Sequence, residues 1–515
     1  MQSKDISVPV GAVLPYAGNL GNNQLNEMGW SICDGSELQI SDYPALFAAI
    51  GTCNGGDGNT RFNLPDYQGY FLRGVDPSGP VDKGASDRKS PRSGAATGAR
   101  VGSVQAFATA TPNTPFQALV PHVPTDDHRA YSGTNADMLE PGGGQTFYSN
   151  GGGDAETRPI NAYVNYIIKI VDGGSMPTGV VVAFAGTSSS GSMILRQSYL
   201  LCDGSRLPIN LYPELYQDIG TAHGGDGSAF NLPDYRGRFL RGADNGTKRD
   251  PDASGRTAMA VGGATGNAVG SIQDWATAAP VNPFTLSINL GNSEKTSDHC
   301  AGHDNAEWNQ NSVTVSFTAS GGDKETRPVN VAVDYYLLQG SVPNTPDLFP
   351  IGAIIGFAGN VAPPATQWLP CDGASYPNSD QYQYLGFAIA DANGGDGISN
   401  FNVPDYRGYF LRGADHGQGR DPDATSRTSA ASGGDCGPNV GSRQGGATGR
   451  PKAGDITGPV DHMPTDDADT AAAILCSSVA EWDGAQTPVV GGGDAETRPL
   501  NANILYYIKY ATATV

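Results

Sequence analysis

The stretch that decides the fold reads Phe230-Asn231-Leu232-Pro233-Asp234-Tyr235-Arg236-Gly237-Arg238-Phe239-Leu240-Arg241-Gly242, and close copies of it span residues 62–74 and 401–413. Pro233 fixes its own φ and Asp234 can accept hydrogen bonds from nearby backbone N–H groups, so this pair starts a turn. Gly237 then lets the chain reverse or bulge. The run that follows alternates in side-chain character, which is typical of a short half-buried strand. We therefore expect a turn followed by a strand, used three times.

The whole chain consists of three copies of one unit. Cys33, Cys202 and Cys371 each precede an Asp-Gly pair, and successive copies are 169 residues apart. A period of about 170 residues is too long for a solenoid repeat and matches a complete domain. Segments rich in glycine and proline near residues 173 and 342 have the composition of linkers. We therefore predict three tandem domains, called units 1, 2 and 3 below, that span residues 1–172, 173–341 and 342–515.

The composition indicates a chain built mainly from strands and turns. Its 515 residues include 71 glycines and 36 prolines, and 38% of them are hydrophobic. Such a chain has thin cores, short strands and many turns. One helix is predicted in each unit: in unit 1, Asp42 is a cap-like residue, Pro44 lies at an early helical position and Gly51 is a stop signal. The predicted fold class is mainly β with one short helix per unit.

A Gly-Gly-Asp-Gly motif lies at residues 55–58, 224–227 and 394–397, just before each copy of the repeated stretch. One interpretation is a loop that binds a metal ion or an anion. The other is a tight turn whose glycines adopt positive φ. The surrounding residues lack the series of oxygen ligands that an EF-hand loop carries, which favours the turn.

Charge and cysteine content exclude several classes of partner and site. The net charge is −21 and the pI is about 4.6, so the surface repels phosphate backbones and we expect no nucleic-acid partner. The sequence has no apolar run of membrane-spanning length and no secretory signal at its N-terminus, so no membrane insertion is expected. The seven cysteines show no CxxC spacing. We expect a buried free thiol in each unit and synthesis in a reducing cytoplasm.

Alternating arginines and carboxylates predict structural ion pairs rather than a catalytic cluster. In unit 2, Arg241, Arg249 and Arg256 alternate with aspartates after the repeated stretch. Near the end of unit 1, Glu156 and Arg158 flank a threonine, and we expect them to form a salt bridge. The same pair is predicted in the other units, as Glu325 with Arg327 and as Glu496 with Arg498.

The three units differ most in a segment of similar length, called the insert, at residues 106–151, 274–320 and 445–491. A polar, turn-rich segment within an otherwise regular unit is where binding residues usually lie. We predict that receptor-binding residues lie here, and the candidates are His122, His128, Tyr131, Trp275, His299, His303, Trp308, His462 and Trp482.

Two histidine pairs within the inserts allow a metal interpretation. His299 and His303 are four residues apart, a spacing that suits metal ligands on a helix. Gly302 disfavours a helix there, and His122 with His128 forms a different pattern. The insert of unit 3 contains only His462. We therefore favour solvated loops and predict neither a metal site nor a cofactor.

Taken together, these elements resemble the phage tail-collar domain found in short tail fibres and in microcystin-dependent-type proteins. The matching parts are the opening strand that ends in Ala-Gly, the Cys-Asp-Gly turn, the Tyr-Pro-x-Leu helix, the repeated stretch itself and the Glu-Thr-Arg-Pro-x-Asn motif. They occur in the same order in each unit and cover nearly the whole chain. The resemblance implies a β-rich domain of a phage tail or contractile injection system that is often trimeric and sometimes host-binding.

Triplication has a simple mechanical interpretation. A homotrimer closes a ring through three identical head-to-tail interfaces. Three tethered units can close the same ring within one chain, since tethering raises their effective concentration to about the millimolar range. We therefore predict a pseudo-threefold arrangement, with the inserts gathered at one end.

The expected function follows from the resemblance. It is a structural and attachment component, a collar or fibre-type protein, that contacts other tail or baseplate proteins and binds a cell-surface receptor or glycan. The alternative is a scaffold without a ligand of its own that braces or encloses the baseplate and spike. An enzyme is not expected, because no nucleophile, histidine and acid recur together in the three units. The expected location is a virion tail or injection particle assembled in the bacterial cytoplasm.

Overall fold

The structure is a computed structural model, and it describes the following residues: 8–18, 24–77, 81–82, 84–111, 116–119, 145–149, 151–171, 176–185, 198–279, 283–288, 313–320, 326–328, 330–339, 349–358, 367–449, 455–460, 490–499 and 501–511.

Each unit contains short strands and a seven-residue helix, and unit 1 has an additional helical turn. Unit 1 consists of β1 (Ala12–Tyr16), α1 (Gln24–Glu27), β2 (Trp30–Ile32), β3 (Glu37–Gln39), α2 (Pro44–Ile50), β4 (Arg61–Asn63), β5 (Phe71–Gly74), β6 (Val104–Gln105), β7 (Ala108–Ala110), β8 (Gln117–Leu119), β9 (Gln145–Tyr148), β10 (Gly151–Arg158) and β11 (Asn161–Lys169).

Units 2 and 3 repeat this order. Unit 2 consists of β12 (Val181–Phe184), β13 (Tyr199–Leu201), β14 (Arg206–Pro208), α3 (Pro213–Ile219), β15 (Ala229–Asn231), β16 (Phe239–Gly242), β17 (Thr257–Ala258), β18 (Ser271–Gln273), β19 (Ala276–Ala278), β20 (Phe284–Ile288), β21 (Val313–Ser320) and β22 (Asn330–Leu338). Unit 3 consists of β23 (Ala353–Phe357), β24 (Trp368–Pro370), β25 (Ser375–Pro377), α4 (Gln383–Ile389), β26 (Asn400–Asn402), β27 (Phe410–Gly413), β28 (Arg443–Gln444), β29 (Ile456–Val460), β30 (Gly491–Arg498) and β31 (Asn501–Lys509).

The last strand of each unit joins that unit to the next one. These closing strands, β11, β22 and β31, run parallel to β16, β27 and β5, which we call the axial strands. The pairing of β31 with β5 returns the chain from unit 3 to unit 1. The three units therefore close a ring, and the predicted pseudo-threefold arrangement is confirmed.

The first strand of each unit, β1, β12 or β23, lies antiparallel to the closing strand of the same unit. These opening strands also contact one another: β23 pairs with both β1 and β12, and a bridge joins Tyr16 to Val180. Residues of all three units share one continuous hydrophobic core as a result. The predicted mainly β fold class, with three repeated units, is confirmed.

The prediction that the axial strands are half-buried is wrong, because they meet one another at the centre of the ring. All four residues of each axial strand are buried. Phe71, Phe239 and Phe410 are each 1% exposed and form a cluster of their own. A strand of one isolated unit would expose one face, and the other two units cover that face here.

The predicted helix occurs in each unit, with a different start from the one expected. Pro44 begins α2, and Gly51 follows it with a φ of 53°. The N-cap residue is Tyr43 rather than Asp42, and its side chain makes no capping hydrogen bond. In unit 3, the position after the helix is taken by Ala390, which adopts a φ of 47° that glycine would accept more easily.

The Gly-Gly-Asp-Gly motif forms the predicted turn. Gly55 and Gly56 have φ values of 118° and 114°. The Asp57 carboxylate accepts hydrogen bonds from the backbone N–H groups of Asn59, Thr60 and Arg61 at 2.8, 2.8 and 2.9 Å. These hydrogen bonds satisfy the Asp57 carboxylate, so this turn needs no bound ion to explain the aspartate.

Strands of the inserts pair between units. β10 of unit 1 pairs with β19 of unit 2 and β29 of unit 3, and β21 of unit 2 pairs with β8 and β29. β20 of unit 2 pairs with β9 and β30, and β30 of unit 3 pairs with β7. β10 and β30 begin at the last residue of an insert and continue beyond it, and the other strands lie within the inserts. Together they form two sheets, and all three units contribute to each one.

Candidate functional site: the unit junctions and the inserts

The last arginine of the repeated stretch is fully buried in each unit and crosses to a neighbouring unit. Arg73, Arg241 and Arg412 are each 0% exposed. Their Nε atoms donate to the carbonyl oxygens of Gly408, Gly69 and Gly237 at 2.8, 2.9 and 2.9 Å. Each guanidinium carbon also lies 5.2 Å from the ring centroid of an axial phenylalanine of another unit, a distance at which cation–π attraction operates.

A buried aspartate neutralises this arginine in each unit. Asp250 lies 3.2 Å from Arg241 and 3.0 Å from Arg256. Burial opposes its ionisation, but Arg241, Arg256 and hydrogen bonds from Tyr163 and Gln273 together hold the pKa of Asp250 below its usual value. The equivalent ion pairs are Asp82 with Arg73 and Arg88, and Asp421 with Arg412 and Arg427. The ion pairing predicted for Arg241 and Arg256 after the repeated stretch is therefore confirmed.

The axial glycines allow the backbones of two units to meet. A Cβ atom on Gly242 would lie 1.9 Å from the carbonyl oxygen of Tyr67 in unit 1. The equivalent distances are 1.9 Å from Gly74 to Tyr406 and 2.0 Å from Gly413 to Tyr235. A side chain at any of these positions would collide with the backbone of the neighbouring unit.

The Glu-Thr-Arg-Pro-x-Asn motif also acts across units. The threonine hydroxyl of the motif accepts a hydrogen bond from a backbone N–H group of the next unit in the ring. The three bonds are Ala278 to Thr157 at 3.0 Å, Gly449 to Thr326 at 3.0 Å and Ala110 to Thr497 at 3.2 Å. The asparagine of the motif accepts from an arginine of the following unit, at 2.7 Å for Arg88 to Asn501 and 2.8 Å for Arg427 to Asn330.

The predicted salt bridges of Glu156 with Arg158 and of Glu325 with Arg327 stay predictions, because the glutamate side chains lie outside the described residues. In the third predicted pair, the side chains of Glu496 and Arg498 both lie outside them. Each described arginine also reaches the next unit: Arg158 lies 2.6 Å from Asp252 of unit 2, and Arg327 lies 2.9 Å from Asp423 of unit 3. The arginine of this motif contacts the next unit because the motif lies at the junction between two units.

Two junctions carry a further arginine clamp near the surface. Arg249 of unit 2 donates to both carboxylate oxygens of Asp66 in unit 1, at 2.9 and 2.7 Å. Arg420 of unit 3 donates to Asp234 of unit 2 at 2.8 Å. The sequence contains a valine, Val81, at the equivalent position of unit 1.

One of the nine predicted receptor-binding residues lies among the described residues. Trp275 is half-buried, and a Cβ on Gly449 of unit 3 would lie 2.6 Å from its indole ring. Trp275 therefore contributes to the contact between units 2 and 3. The other eight lie outside the described residues: His122, His128, Tyr131, His299, His303, Trp308, His462 and Trp482.

Sequence reasoning missed two histidines that lie at junctions. His223 is 0% exposed, and His416 lies 2.6 Å from the buried Asp334 of unit 2. The alignment of the three units could have revealed His223, because units 1 and 3 have asparagine at the same position. A polar residue kept at a buried position indicates a specific hydrogen bond.

The described residues contain no group of three His, Cys, Asp or Glu side chains placed to hold a metal ion. Cys33, Cys202 and Cys371 are free and buried, as predicted, and burial raises their pKa values. None of the described helices has the length and apolar character needed to cross a membrane. A cavity of about 40 Å³ lies near the axis and is lined by apolar and tyrosine side chains.

Comparisons with known proteins agree with this geometry. The family described as phage tail collar domain matches residues 11–72, 179–240 and 352–411. Protein RhiB of Rhizobium leguminosarum bv. viciae is 32% identical over 195 residues, which is 35% of this chain and 81% of RhiB. The short tail fiber protein gp12 of Enterobacteria phage T4 is 34% identical over 106 residues, which is 20% of this chain and 19% of gp12.

Each of the three family matches runs from the opening strand of a unit into its axial strand. The matched part therefore includes the opening strand, the helix and the start of the axial strand, and it ends before the insert and the closing strand. The chain belongs to the phage tail collar domain family, and it carries three copies of that domain.

Proposed function

We propose that this chain is a structural and attachment component of a phage tail or a contractile injection system, and that its inserts bind a cell-surface receptor or glycan. The observation that carries the proposal is the division of each unit into two parts. The part from the opening strand to the axial strand is held by the same contacts in every unit. The inserts keep their length while their sequence changes, which is expected of a binding region on a fixed support.

The chemistry of the inserts fits a saccharide ligand. Tyr131, Trp308 and Trp482 supply flat apolar rings, and the histidines and neighbouring polar residues supply hydrogen-bonding groups. Binding sites for small molecules combine such aromatic surfaces with a few polar groups. The acidic surface of the chain disfavours a nucleic-acid ligand.

The alternative is a scaffold that binds no receptor and braces the baseplate. The centre of the ring is filled by the side chains of Phe71, Phe239 and Phe410, and this limits how such a scaffold could hold its partners. A spike or tube therefore has no path along this axis, and a scaffold of this shape would brace its partners from outside.

Other tail or baseplate proteins are the proposed partners in both cases, and the proposed location is the virion tail or the injection particle. The collar family indicates a structural protein rather than an enzyme. The unit boundaries near residues 173 and 342 stay a prediction.

The test is a glycan array probed with the full chain and three variants. Trp308→Ala and Trp482→Ala each remove an aromatic ring from an insert. Tyr384→Ser is the matched control, because Tyr384 is an aromatic residue on α4, outside the inserts, and is 68% exposed. Glycan binding that the insert variants lose and the control retains supports attachment. No glycan binding, together with firm binding to a baseplate protein, supports the scaffold.

A further inference from the structure

Each unit contains a buried tyrosine hydroxyl that has no partner among the described protein groups. The tyrosines are those of the Pro-Asp-Tyr turn, Tyr67, Tyr235 and Tyr406, and they are 2%, 0% and 1% exposed. A buried hydroxyl without a hydrogen bond is costly, so three equivalent ones require an explanation.

In unit 2, an unpartnered acceptor lies on a histidine ring that is in contact with this tyrosine. The Nε2 atom of His223 lies 3.2 Å from the carbonyl oxygen of Ala17 in unit 1. A carbonyl only accepts, so Nε2 carries the proton and Nδ1 keeps a free lone pair. Burial lowers the pKa of His223 to about 4, so the ring is neutral. Nδ1 has no partner, and the ring centroids of His223 and Tyr235 are 6.2 Å apart.

Units 1 and 3 have an asparagine at the position of His223. In unit 3, Nδ2 of Asn393 donates to the carbonyl oxygen of Ala185 in unit 2 at 3.3 Å, and its Oδ1 has no partner. In unit 1, Nδ2 of Asn54 has no partner. Every unit therefore presents a second buried polar atom without a partner.

The glycine of a Val-Gly-Ser motif, at residues 101–103, 269–271 and 440–442, lies beside these groups in each unit. Asn54, Tyr67 and Gly102 line one cavity of about 10 Å³ in unit 1. A Cβ on Gly102 would lie 3.0 Å from Oδ1 of Asn54. The equivalent distances are 3.1 Å from Gly270 to Nδ1 of His223 and 3.2 Å from Gly441 to Oδ1 of Asn393. The three motifs thus meet at one cavity in unit 1, and units 2 and 3 have the equivalent glycine contacts.

We propose that each unit binds one ordered water molecule at this point, which accepts a hydrogen bond from the tyrosine hydroxyl and bonds to the facing histidine or asparagine. A single water needs a cavity of about 10–15 Å³ and two to four polar partners. The cavity of about 10 Å³ in unit 1 meets the lower limit of that volume, and Tyr67 and Asn54 beside it are two polar partners. His223 and Asn393 also bind a carbonyl oxygen of the preceding unit, so the water connects the Pro-Asp-Tyr turn to the junction.

The test is the sign of a change in melting temperature. The triple variant Tyr67→Phe, Tyr235→Phe and Tyr406→Phe removes only the three hydroxyls from the full chain. If each hydroxyl bonds to water, the loss of three bonds lowers Tm by about 3 °C for a chain of this size. If the hydroxyls are unpaired, their removal relieves a burial penalty, and Tm stays the same or rises.

Two controls calibrate this shift. Tyr166→Phe removes a hydroxyl that donates to the carbonyl oxygen of Leu240 at 3.2 Å, and it should lower Tm. Tyr384→Phe removes an exposed hydroxyl and should leave Tm unchanged. A crystal structure of the full chain at high resolution should show one water within hydrogen-bond distance of each tyrosine hydroxyl. A direct bond from the tyrosines to protein groups, or a dry cavity, would overturn the proposal.

Discussion

The junction between units 3 and 1 differs from the other two, although all three share the same centre. Every junction has a parallel strand pair, a buried arginine that donates to a glycine carbonyl of another unit, and a glycine in contact with a neighbouring backbone. At the edge, the first two junctions have arginine clamps, whereas unit 1 has Val81 in place of the clamp arginine and Gly84 in place of Asp252.

This difference separates the contacts that close the ring from those that reinforce it. A closed ring of three units needs the central contacts at all three junctions, since the ring opens if one junction lacks them. The edge clamps are partly exposed ion pairs of the kind that contribute little each. The central contacts are therefore the same at every junction, whereas the edge contacts differ between junctions. The inserts likewise differ between units.

The largest effect is expected from a methyl group at the centre. Gly242→Ala places a Cβ 1.9 Å from the carbonyl oxygen of Tyr67, so the two backbones must separate. We expect a loss of at least about 3 kcal/mol of unfolding free energy in urea titrations. Gly74→Ala should cost as much at the junction of units 3 and 1. Gly255→Ala is the control, because no atom lies within 4 Å of its Cβ position. A tolerated Gly74→Ala would show that this junction lacks the common centre.

A somewhat smaller loss is expected when a buried carboxylate is neutralised. Asp250→Asn leaves Arg241 and Arg256 without their counter-charge and should cost about 3 kcal/mol. Asp82→Asn should cost the same in unit 1, because that aspartate also lies between two arginines. Asp42→Asn changes an exposed carboxylate of similar size and should have no effect on urea unfolding.

Removing or adding an edge clamp should change the free energy of unfolding only slightly. Arg249→Ala removes the bidentate contact with Asp66 and should cost about 1 kcal/mol. Val81→Arg introduces the clamp at the junction that lacks it, where Asp405 is the equivalent carboxylate, and should raise the unfolding free energy by less than about 1 kcal/mol. Loss of stability in Val81→Arg would indicate that this edge is built differently.

The smallest effect is a pH dependence confined to the junction of units 2 and 3. The hydrogen bond to Asp334 raises the pKa of His416 above its usual value of about 6.5, with opposing effects from burial and Arg236 and additional support from Asp415. The pair therefore contributes its full stability below the unfolded pKa, and this is lost as the pH rises through the folded pKa. We expect Tm to fall as the pH rises above about 6.5, and this slope to weaken in His416→Asn. An equal slope in the variant would assign the dependence to other groups.

Several features of the fold were predictable from sequence because their causes are local. The Gly-Gly-Asp-Gly turn follows from glycine conformation and a short-range aspartate, and α2 follows from Pro44 and Gly51. The ring was predictable from the triplication and the family resemblance. The full burial of the axial strands was not, since it depends on two other units that meet the same surface.

The candidate site was less predictable than the fold. Sequence reasoning did not predict the pair of Arg158 with Asp252, which lie 94 positions apart. The clamp of Arg249 on Asp66 spans 183 positions and likewise leaves no local pattern. Of the predicted receptor-binding residues, Trp275 contributes to a junction, and the role of the others stays a prediction.

Distances between spin labels on the full chain test the closed ring most directly. Ala48, Gln217 and Phe387 are exposed and occupy equivalent helix positions in units 1, 2 and 3. Labels placed at these positions in pairs report the three sides of a triangle. A closed pseudo-threefold ring predicts three equal distances with narrow distributions. A distance between units 1 and 3 that is much longer than the other two would contradict it.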